Sequence, residues 1–208
     1  MSESRDLTAG TARALARALV ARRARTVLLD GPSGSGKSTF ALQLLAELRA
    51  APRAAEAVLV RMDDLYPGWS GLESAVRAAA SGIVRPHALG LPARWRPWNW
   101  ASGTTAGVRE VRAPLLLIEG CGAAPAASRR FADLTVWIEA DEVQRRDRAL
   151  ARDGALFEPF WDDWDEQFRR YCERERPRSG ADLVLDTSDR AVSAQAQPSS
   201  WRRSSSMP

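Results

Sequence analysis

The residues best suited to chemistry stand in one short run, Gly31-Pro32-Ser33-Gly34-Ser35-Gly36-Lys37-Ser38-Thr39. The run fits the pattern G-x-x-x-x-G-K-S/T at every fixed position, with an apolar segment before it and a helical pattern after it. Glycines let successive backbone N–H groups point into one anion-binding concavity, and the dipole of the following helix adds to that pocket. The run therefore predicts a phosphate-binding loop (P-loop) for a nucleoside triphosphate.

Within this loop each residue type has its own expected role. Lys37 can reach the β- and γ-phosphates, and the hydroxyl of Ser38 can ligate Mg²⁺. The expected cofactors are therefore ATP and Mg²⁺. Motors, GTPases and small-molecule kinases share such a loop, so the reaction must be inferred from other residues. The residues predicted to bind the nucleotide are Gly31, Ser33, Gly34, Ser35, Gly36, Lys37, Ser38 and Thr39.

Acidic residues follow two further apolar runs. Asp63 and Asp64 come directly after the run at 57–62, and Glu119 follows the run at 115–118. Ligands bind at the carboxyl ends of the strands in an open α/β sheet, where a carboxylate can accept a hydroxyl proton or hold Mg²⁺. The structural alternatives are an acid pair that only starts a turn and an acid that caps a glycine-rich turn. The pattern alone leaves open which of the three carboxylates is a general base.

Apolar runs that alternate with helical patterns predict the elements that position these residues. The alternation predicts an α/β fold with a parallel sheet of about five strands and helices on both faces. The segment 83–107 lacks a regular pattern. Gly82 is expected to close the third helix, and Asp141 to cap the fourth. The predicted strands are 26–29, 57–62, 115–118, 134–138 and 182–185, and the predicted helices are 8–24, 38–50, 70–81, 141–152 and 158–175.

The chain is expected to form one domain with a segment on each side. Residues 1–24 contain an amphipathic helix that is predicted to pack on the domain formed by residues 25–187. Residues 188–208 are rich in serine, glutamine and alanine and show no periodicity. That composition predicts a disordered tail.

Composition excludes several classes of protein. With 45% hydrophobic and 27% charged residues among 208, the chain is globular rather than fibrous or wholly disordered. No apolar run approaches the roughly 20 residues of a membrane span, and no signal-peptide core is evident, so a cytoplasmic location is expected. The two distant cysteines indicate neither a disulfide framework nor a metal site. A formal charge of +4, with arginines interspersed among acids, argues against a nucleic-acid partner.

Together these motifs resemble the uridine kinase branch of the P-loop nucleoside and nucleotide kinases. The resemblance rests on the P-loop, on Asp63-Asp64-Leu65-Tyr66, on Glu119-Gly120 and on the arginine-bearing segment 132–153. It implies a three-layer P-loop NTPase fold with a short arginine-bearing lid. It also implies transfer of the γ-phosphate of Mg-ATP to a hydroxyl of a small molecule, which in this family is a nucleoside.

The resemblance further implies roles for individual residues. Asp63 is the expected general base, and Glu119 is an acid near the metal or the substrate. Arg148 and Arg152 are the expected lid cations that assist Lys37, because guanidinium groups bind a transferring phosphoryl group bidentately. Asn99 stands where uridine kinases often carry an acid. The residues expected to contact the acceptor are Asp63, Tyr66, Trp98, Asn99 and Trp100.

Other functions fit parts of the pattern. A regulatory or accessory ATPase would need only the P-loop, and the loop itself is equally similar to that of cytidylate kinase, a nucleoside monophosphate kinase. Phosphorylation of nucleic-acid 5′-hydroxyls would use the arginines. The sequence leaves open the identity of the acceptor, the preference for ATP over GTP, and whether the chain forms a homo-oligomer.

Overall fold

The protein was analysed as a computed structural model that describes residues 2–188 and 193–196. The strands are β1 (Thr26–Asp30), β2 (Val58–Arg61), β3 (Ala93–Trp95), β4 (Trp98–Asn99), β5 (Thr104–Thr105), β6 (Arg109–Val111), β7 (Leu116–Glu119), β8 (Leu134–Glu139), β9 (Leu183–Asp186) and β10 (Ser193–Ala196). The helices are α1 (Ser2–Ala21), α2 (Lys37–Arg49), α3 (Leu72–Ala79), α4 (Arg85–Ala88), α5 (Ala126–Arg129), α6 (Glu142–Asp153) and α7 (Trp161–Glu175).

A central sheet carries the site-bearing loops at one edge. Its strand order is β10-β9-β8-β1-β7-β2, and the five strands from β9 to β2 are parallel. The predicted α/β fold with about five parallel strands is therefore confirmed. β1 lies between β7 and β8, so the chain leaves β1 towards one side of the sheet and later returns on the other. Such a switch point opens a crevice at the carboxyl end of the strand, where the P-loop begins.

Buried side chains alternate between the two faces of the sheet. Val27 and Leu29 of β1 belong to the cluster under α1 and α2, whereas Leu28 belongs to the cluster under α3 and α7. This division follows from the two-residue period of a strand. The sheet is thus the middle layer of three, and a buried cluster packs on each of its faces.

Helix α1 packs against α2 on the same face of the sheet. Its Leu15 and Leu19 lie in the same buried cluster as Leu44 and Leu48 of α2. Arg13 and Arg17 of this helix are exposed, and among the described residues no helix has the length and apolar character needed to cross a bilayer.

The end predicted for the third helix is wrong. The chain continues past Gly82 through a π-helical turn, Ala80–Val84, into α4. A Cβ at Gly82 would lie 2.6 Å from the backbone oxygen of Arg94, so glycine serves the close approach of β3 rather than helix termination. The segment predicted as irregular also contains β3, which pairs antiparallel with β6, and the antiparallel pair of β4 with β5.

The prediction of a disordered tail is wrong for one stretch. Residues 193–196 form β10, which pairs antiparallel with β9 at the sheet edge. Backbone hydrogen bonds to an otherwise open edge explain how a polar stretch without hydrophobic periodicity becomes a strand. Residues 189–192 and 197–208 of the predicted tail lie outside the described part of the chain.

The single histidine connects the N-terminal end of β1 to the chain before β7. His87 is 2% exposed; its Nε2 lies 3.0 Å from the carbonyl oxygen of Ala113, and its Nδ1 lies 2.9 Å from Oγ1 of Thr26. Since a carbonyl only accepts, Nε2 carries the proton and Nδ1 accepts from the threonine hydroxyl. Burial lowers the pKa of His87, while the contact with Ala113 opposes the shift.

We expect this histidine to make the fold sensitive to acid. Because its folded-state pKa lies below its value in the unfolded chain, the unfolded state binds more protons as the pH falls below about 6.5. Its contribution to the free energy of unfolding should fall by up to about 1.4 kcal/mol per pH unit over that range. Urea titrations between about pH 7 and about pH 5.5 should show this slope, and His87→Gln should lack it. Parallel slopes for parent and variant would contradict the assignment.

Candidate active site

The candidate site is organised by a carboxylate at the end of β1. Asp30 is fully buried; its Oδ1 accepts from the backbone N–H groups of Gly31, at 2.7 Å, and Gly122, at 2.9 Å. Its Oδ2 accepts from the N–H of Ala124 and the hydroxyl of Tyr171, at 2.9 and 2.6 Å. Burial raises the pKa of Asp30, and these hydrogen bonds oppose the rise. One side chain therefore fixes the start of the P-loop, the loop after β7 and helix α7.

The P-loop then wraps around the N-terminus of α2. Gly34 has φ 77°, and a Cβ there would lie 1.8 Å from the backbone oxygen of Arg145 in α6. Gly36 caps α2 in the left-handed conformation. The carbonyl of Ser35 accepts from Oγ1 of Thr187 at 2.9 Å, so residues after β9 also hold the loop. The buried hydroxyl of Ser35 has no hydrogen-bond partner among the described residues, which suits a loop that receives an oxygen-rich ligand.

Lys37 lies inside this loop and is 7% exposed. Its Nζ donates to the carbonyl oxygen of Pro32 at 2.7 Å and lies 3.7 Å from Sγ of Cys121. The same sulfur lies 3.5 Å from Oγ of Ser33. Burial raises the pKa of the Cys121 thiol, and Lys37 opposes the rise. The ammonium is thus held across the loop, close to the position where phosphates bind in such loops.

The predicted metal residues meet at the start of α2. Oγ of Ser38 donates to Oε2 of Glu119 at 3.3 Å, and Glu119 is 2% exposed. Burial raises the pKa of Glu119, Lys37 lowers it, and the charge of Asp63 raises it again. Among the described residues, no group of three or more His, Cys, Asp or Glu side chains could hold a metal. One hydroxyl and one carboxylate suit Mg²⁺, which usually takes few protein ligands beside water and substrate phosphates.

A cavity of about 350 Å³ opens beside the P-loop. Asp63 reaches it from a 3-10 turn, Met62–Asp64, directly after β2. Asp64, its neighbour, does not line it. The lining residues are Ser33, Ser38, Arg61, Asp63, Tyr66, Trp69, Trp100, Arg152, Phe157 and Trp164.

Aromatic rings from three parts of the chain form the wall of this cavity. Trp69 stacks on Phe157, with centroids 5.0 Å apart and planes inclined by 18°, and it contacts Trp100 at 4.6 Å. Tyr66 meets Trp164 edge to face at 4.7 Å. These contacts join the chain after β2, the β4–β5 hairpin and the segment around α7 into one aromatic cluster.

The structure brings only one residue of the predicted acceptor segment 98–100 to this cavity. Trp100 lines it and donates its indole N–H to the backbone oxygen of Asp63 at 3.0 Å. Oδ1 of Asn99 accepts from the N–H groups of Ala101 and Ser102, so this side chain holds the β4–β5 turn. Trp98 lies in β4 and does not line the cavity.

The two predicted lid arginines are also separated. Arg152 lines the cavity, whereas the guanidinium of Arg148 contacts the carbonyl oxygen of Thr187, at 3.3 Å, and Gln144. Arg145, one turn earlier, pairs with Asp165 at 2.9 Å and lies over the ring of Trp161. The arginines of α6 thus contact different parts of the protein: Arg152 lines the cavity, Arg148 contacts Thr187 and Arg145 contacts α7.

Comparison with solved structures identifies the fold. A possible uridine kinase from Bacillus stearothermophilus is similar over 77% of this chain and 87% of its own, with a TM-score of 0.54 and 21% sequence identity. The chain has a uridine kinase-like P-loop fold. A provisionally assigned fructose transport system kinase from Silicibacter sp. TM1040 matches 82% of this chain and 94% of its own at 22% identity and a TM-score of 0.49. No protein-family model matches the chain, and no curated protein does so either.

Several residues of this uridine kinase-like fold were not singled out by the sequence analysis. Asp30 carried a signal, because an acid at the end of a fully apolar run must find buried partners. Trp69, Phe157 and Trp164 gave no sequence signal, because aromatic residues in loops and helices more often fill a core than line a site. Cys121 is close to Lys37 only through the pairing of β1 with β7.

We expect loss of the Asp30 carboxylate to lower the free energy of unfolding by about 2–4 kcal/mol. Hydrogen bonds to a buried charge stabilise a fold more than hydrogen bonds between neutral groups, and their loss leaves the donor groups buried without a partner. Asp30→Asn places an amide N–H where a carboxylate oxygen accepts. Tyr171→Phe removes only one of the hydrogen bonds and should cost about 1 kcal/mol. Chemical denaturation of both variants measures the difference. A smaller loss for Asp30→Asn than for Tyr171→Phe would contradict the organising role of Asp30.

Proposed function

We propose that the protein transfers the γ-phosphoryl group of Mg-ATP to a hydroxyl of a small molecule. The observation that carries this proposal is the meeting of three groups in one place: the Lys37 loop, the Ser38–Glu119 pair and Asp63, which lines the cavity beside the P-loop. A motor or switch needs the first two groups, whereas an acid facing an adjacent cavity is needed for an acceptor hydroxyl. The uridine kinase-like fold supports the same reaction class.

In the proposed reaction Asp63 is the general base. It takes the proton from the acceptor hydroxyl as the oxygen attacks the γ-phosphorus, a new O–P bond forms and the bond to the ADP oxygen breaks. The hydrogen bond from Trp100 to the backbone oxygen of Asp63 supports this role, because it holds the main chain of Asp63 beside the cavity. Asp64 and Glu119 are the other acids at the ends of β2 and β7, and Glu119 accepts a hydrogen bond from Ser38.

Lys37 and Arg152 stabilise the charge that moves during transfer. The ammonium of Lys37 can move from the carbonyl of Pro32 to phosphate oxygens along its flexible stem. Arg152 reaches the cavity from the end of α6. Arg148, the second predicted lid cation, would act from the side of Thr187, which also holds the P-loop through Ser35. These cations and the backbone N–H groups of the loop supply the electrostatic stabilisation on which phosphoryl transfer depends.

Ser38 and Glu119 are the proposed holders of Mg²⁺, which when bound neutralises charge on the phosphates. Because Glu119 must be ionised for this task and burial raises its pKa, acidification should weaken its hold on the ion at a higher pH than for an exposed glutamate. Gly31, Ser33, Gly34, Ser35, Gly36 and Thr39 complete the proposed nucleotide site.

A nucleoside is the acceptor that the similarity to a possible uridine kinase suggests. Tyr66 and Trp100 line the cavity where such a molecule would lie. The acceptor is therefore proposed as a small molecule with a free hydroxyl, and a nucleoside panel is the natural first test.

We expect Lys37→Ala to reduce phosphoryl transfer by at least about 100-fold while the fold is retained. The loss follows from removal of a preorganised cation in a low-dielectric site, where such groups contribute about 3 kcal/mol or more. Coupled measurement of ADP release with an acceptor, together with circular dichroism, tests the expectation. Transfer at the parental rate in this variant would rule out the proposed nucleotide site.

The acidic pair after β2 offers a matched test of the base. Asp63→Asn should lower kcat by about 100-fold or more, since general-base catalysis contributes that much. Asp64→Asn changes the adjacent acid, which does not line the cavity, and should alter kcat only a few-fold. Steady-state kinetics on both variants decides between them, and a greater loss for Asp64→Asn would assign the base to the other carboxylate.

A further inference from the structure

Most polar atoms of the aromatic rings that line the cavity form hydrogen bonds within the protein. Four polar atoms belong to the lining rings, namely the Tyr66 hydroxyl and the indole N–H groups of Trp69, Trp100 and Trp164. Tyr66 donates to the carbonyl oxygen of Cys121 at 2.8 Å, Trp100 to the carbonyl oxygen of Asp63 at 3.0 Å, and Trp164 to Oγ of Ser33 at 3.0 Å. Only the N–H of Trp69 has no hydrogen bond to another described residue.

The indole rings of Trp69 and Trp100, the least buried of the lining rings, therefore present carbon surface to the cavity. Phe157 adds a fifth ring without any polar atom, and it is held in place by stacking on Trp69. Polar side chains are confined to Asp63, the arginines and the serines of the P-loop. The last of these belong to the nucleotide side, so the acceptor side offers one carboxylate and guanidinium groups within a wall of aromatic carbon.

This distribution discriminates between classes of acceptor. A sugar or a nucleoside carries several hydroxyls or base-edge groups that lose water on entering the cavity. Each polar group buried without a partner costs about 1–3 kcal/mol of binding free energy, so the cost for such a ligand rises with its number of unpaired polar groups. A flat apolar ring system loses little hydration and gains stacking contacts with the indole and phenyl faces.

Resting on the proposed phosphoryl transfer, we infer that the acceptor is an aromatic alcohol with few other polar groups, rather than a nucleoside or a sugar. Its ring system packs against Trp69 and Trp100, and its single hydroxyl is directed to Asp63. The oxygen of that hydroxyl forms the new bond to the γ-phosphorus, its proton passes to Asp63, and ADP leaves.

Binding of three matched probes tests this inference. Isothermal titration of the full chain, loaded with Mg²⁺ and a non-hydrolysable ATP analogue, compares 2-naphthalenemethanol with uridine and fructose. We expect the naphthyl alcohol to bind at least about 10-fold more tightly than either polar probe. Tighter binding of uridine or fructose overturns the inference, as does the absence of naphthalenemethanol binding.

Variants of Trp100 show whether the probe occupies this cavity. Trp100 is 41% exposed, so its truncation leaves the core intact. Trp100→Ala should weaken naphthalenemethanol binding about 10-fold, whereas Trp100→Phe, which keeps a ring but lacks the N–H, should restore most of it. Val108→Ala removes exposed apolar surface outside the cavity and should leave the affinity unchanged. Equal affinities for the alanine variant and the parent overturn the inference.

A product assay separates this inference from the proposed function. Each probe is incubated with Mg-ATP, and phosphorylated products are identified by mass spectrometry. If naphthalenemethanol binds as expected but no probe is phosphorylated, the proposed transfer fails while the ligand class of the cavity stands. If uridine is phosphorylated and naphthalenemethanol does not bind, the transfer stands and the aromatic acceptor is refuted.

Discussion

The buried carboxylate of Asp30 is the interaction on which the site depends. Its removal from water costs several kcal/mol, and only its hydrogen bonds to the P-loop, the loop after β7 and Tyr171 offset that cost. Because these groups come from three separate parts of the chain, the charge can be satisfied only when all of them are in place. The same requirement that stabilises the fold therefore fixes Lys37 relative to Glu119 and α7.

Around that anchor the parallel sheet brings distant residues to one edge. β2, β7 and β1 lie side by side, so Asp63, Glu119 and the P-loop leave the sheet at neighbouring points. Helix α7 closes the arrangement from the other side, since Trp164 donates to Ser33 of the P-loop and packs on Tyr66 beside the cavity. Trp164 thus joins the P-loop to the aromatic wall of the cavity.

The parts predicted from sequence are those encoded in short segments. Predominantly apolar runs identified the strands of the parallel sheet, and the spacing of glycines, lysine and serine identified the P-loop, because both signals are local. Asp63 followed from its position after a strand, although its role stays a prediction. Trp98 and Trp100 could not be told apart, because the turn held by Asn99 decides which ring faces the cavity. The partners of Asp30 and the aromatic wall arise from tertiary packing, which no local pattern encodes. The helix end predicted at Gly82 was wrong for the same reason, because the glycine is required by close contact with β3, which follows later in the chain.

The central claim is that the protein moves a phosphoryl group to an acceptor rather than to water. Following the γ-labelled phosphoryl group of ATP tests it most directly, with a mixture of small alcohols present and the label then separated into organic products and inorganic phosphate. We predict that the label enters an organic phosphate and that ADP release accelerates when the mixture is added. Label found only in inorganic phosphate, at a rate indifferent to the mixture, would contradict the claim and assign the protein to the regulatory ATPases.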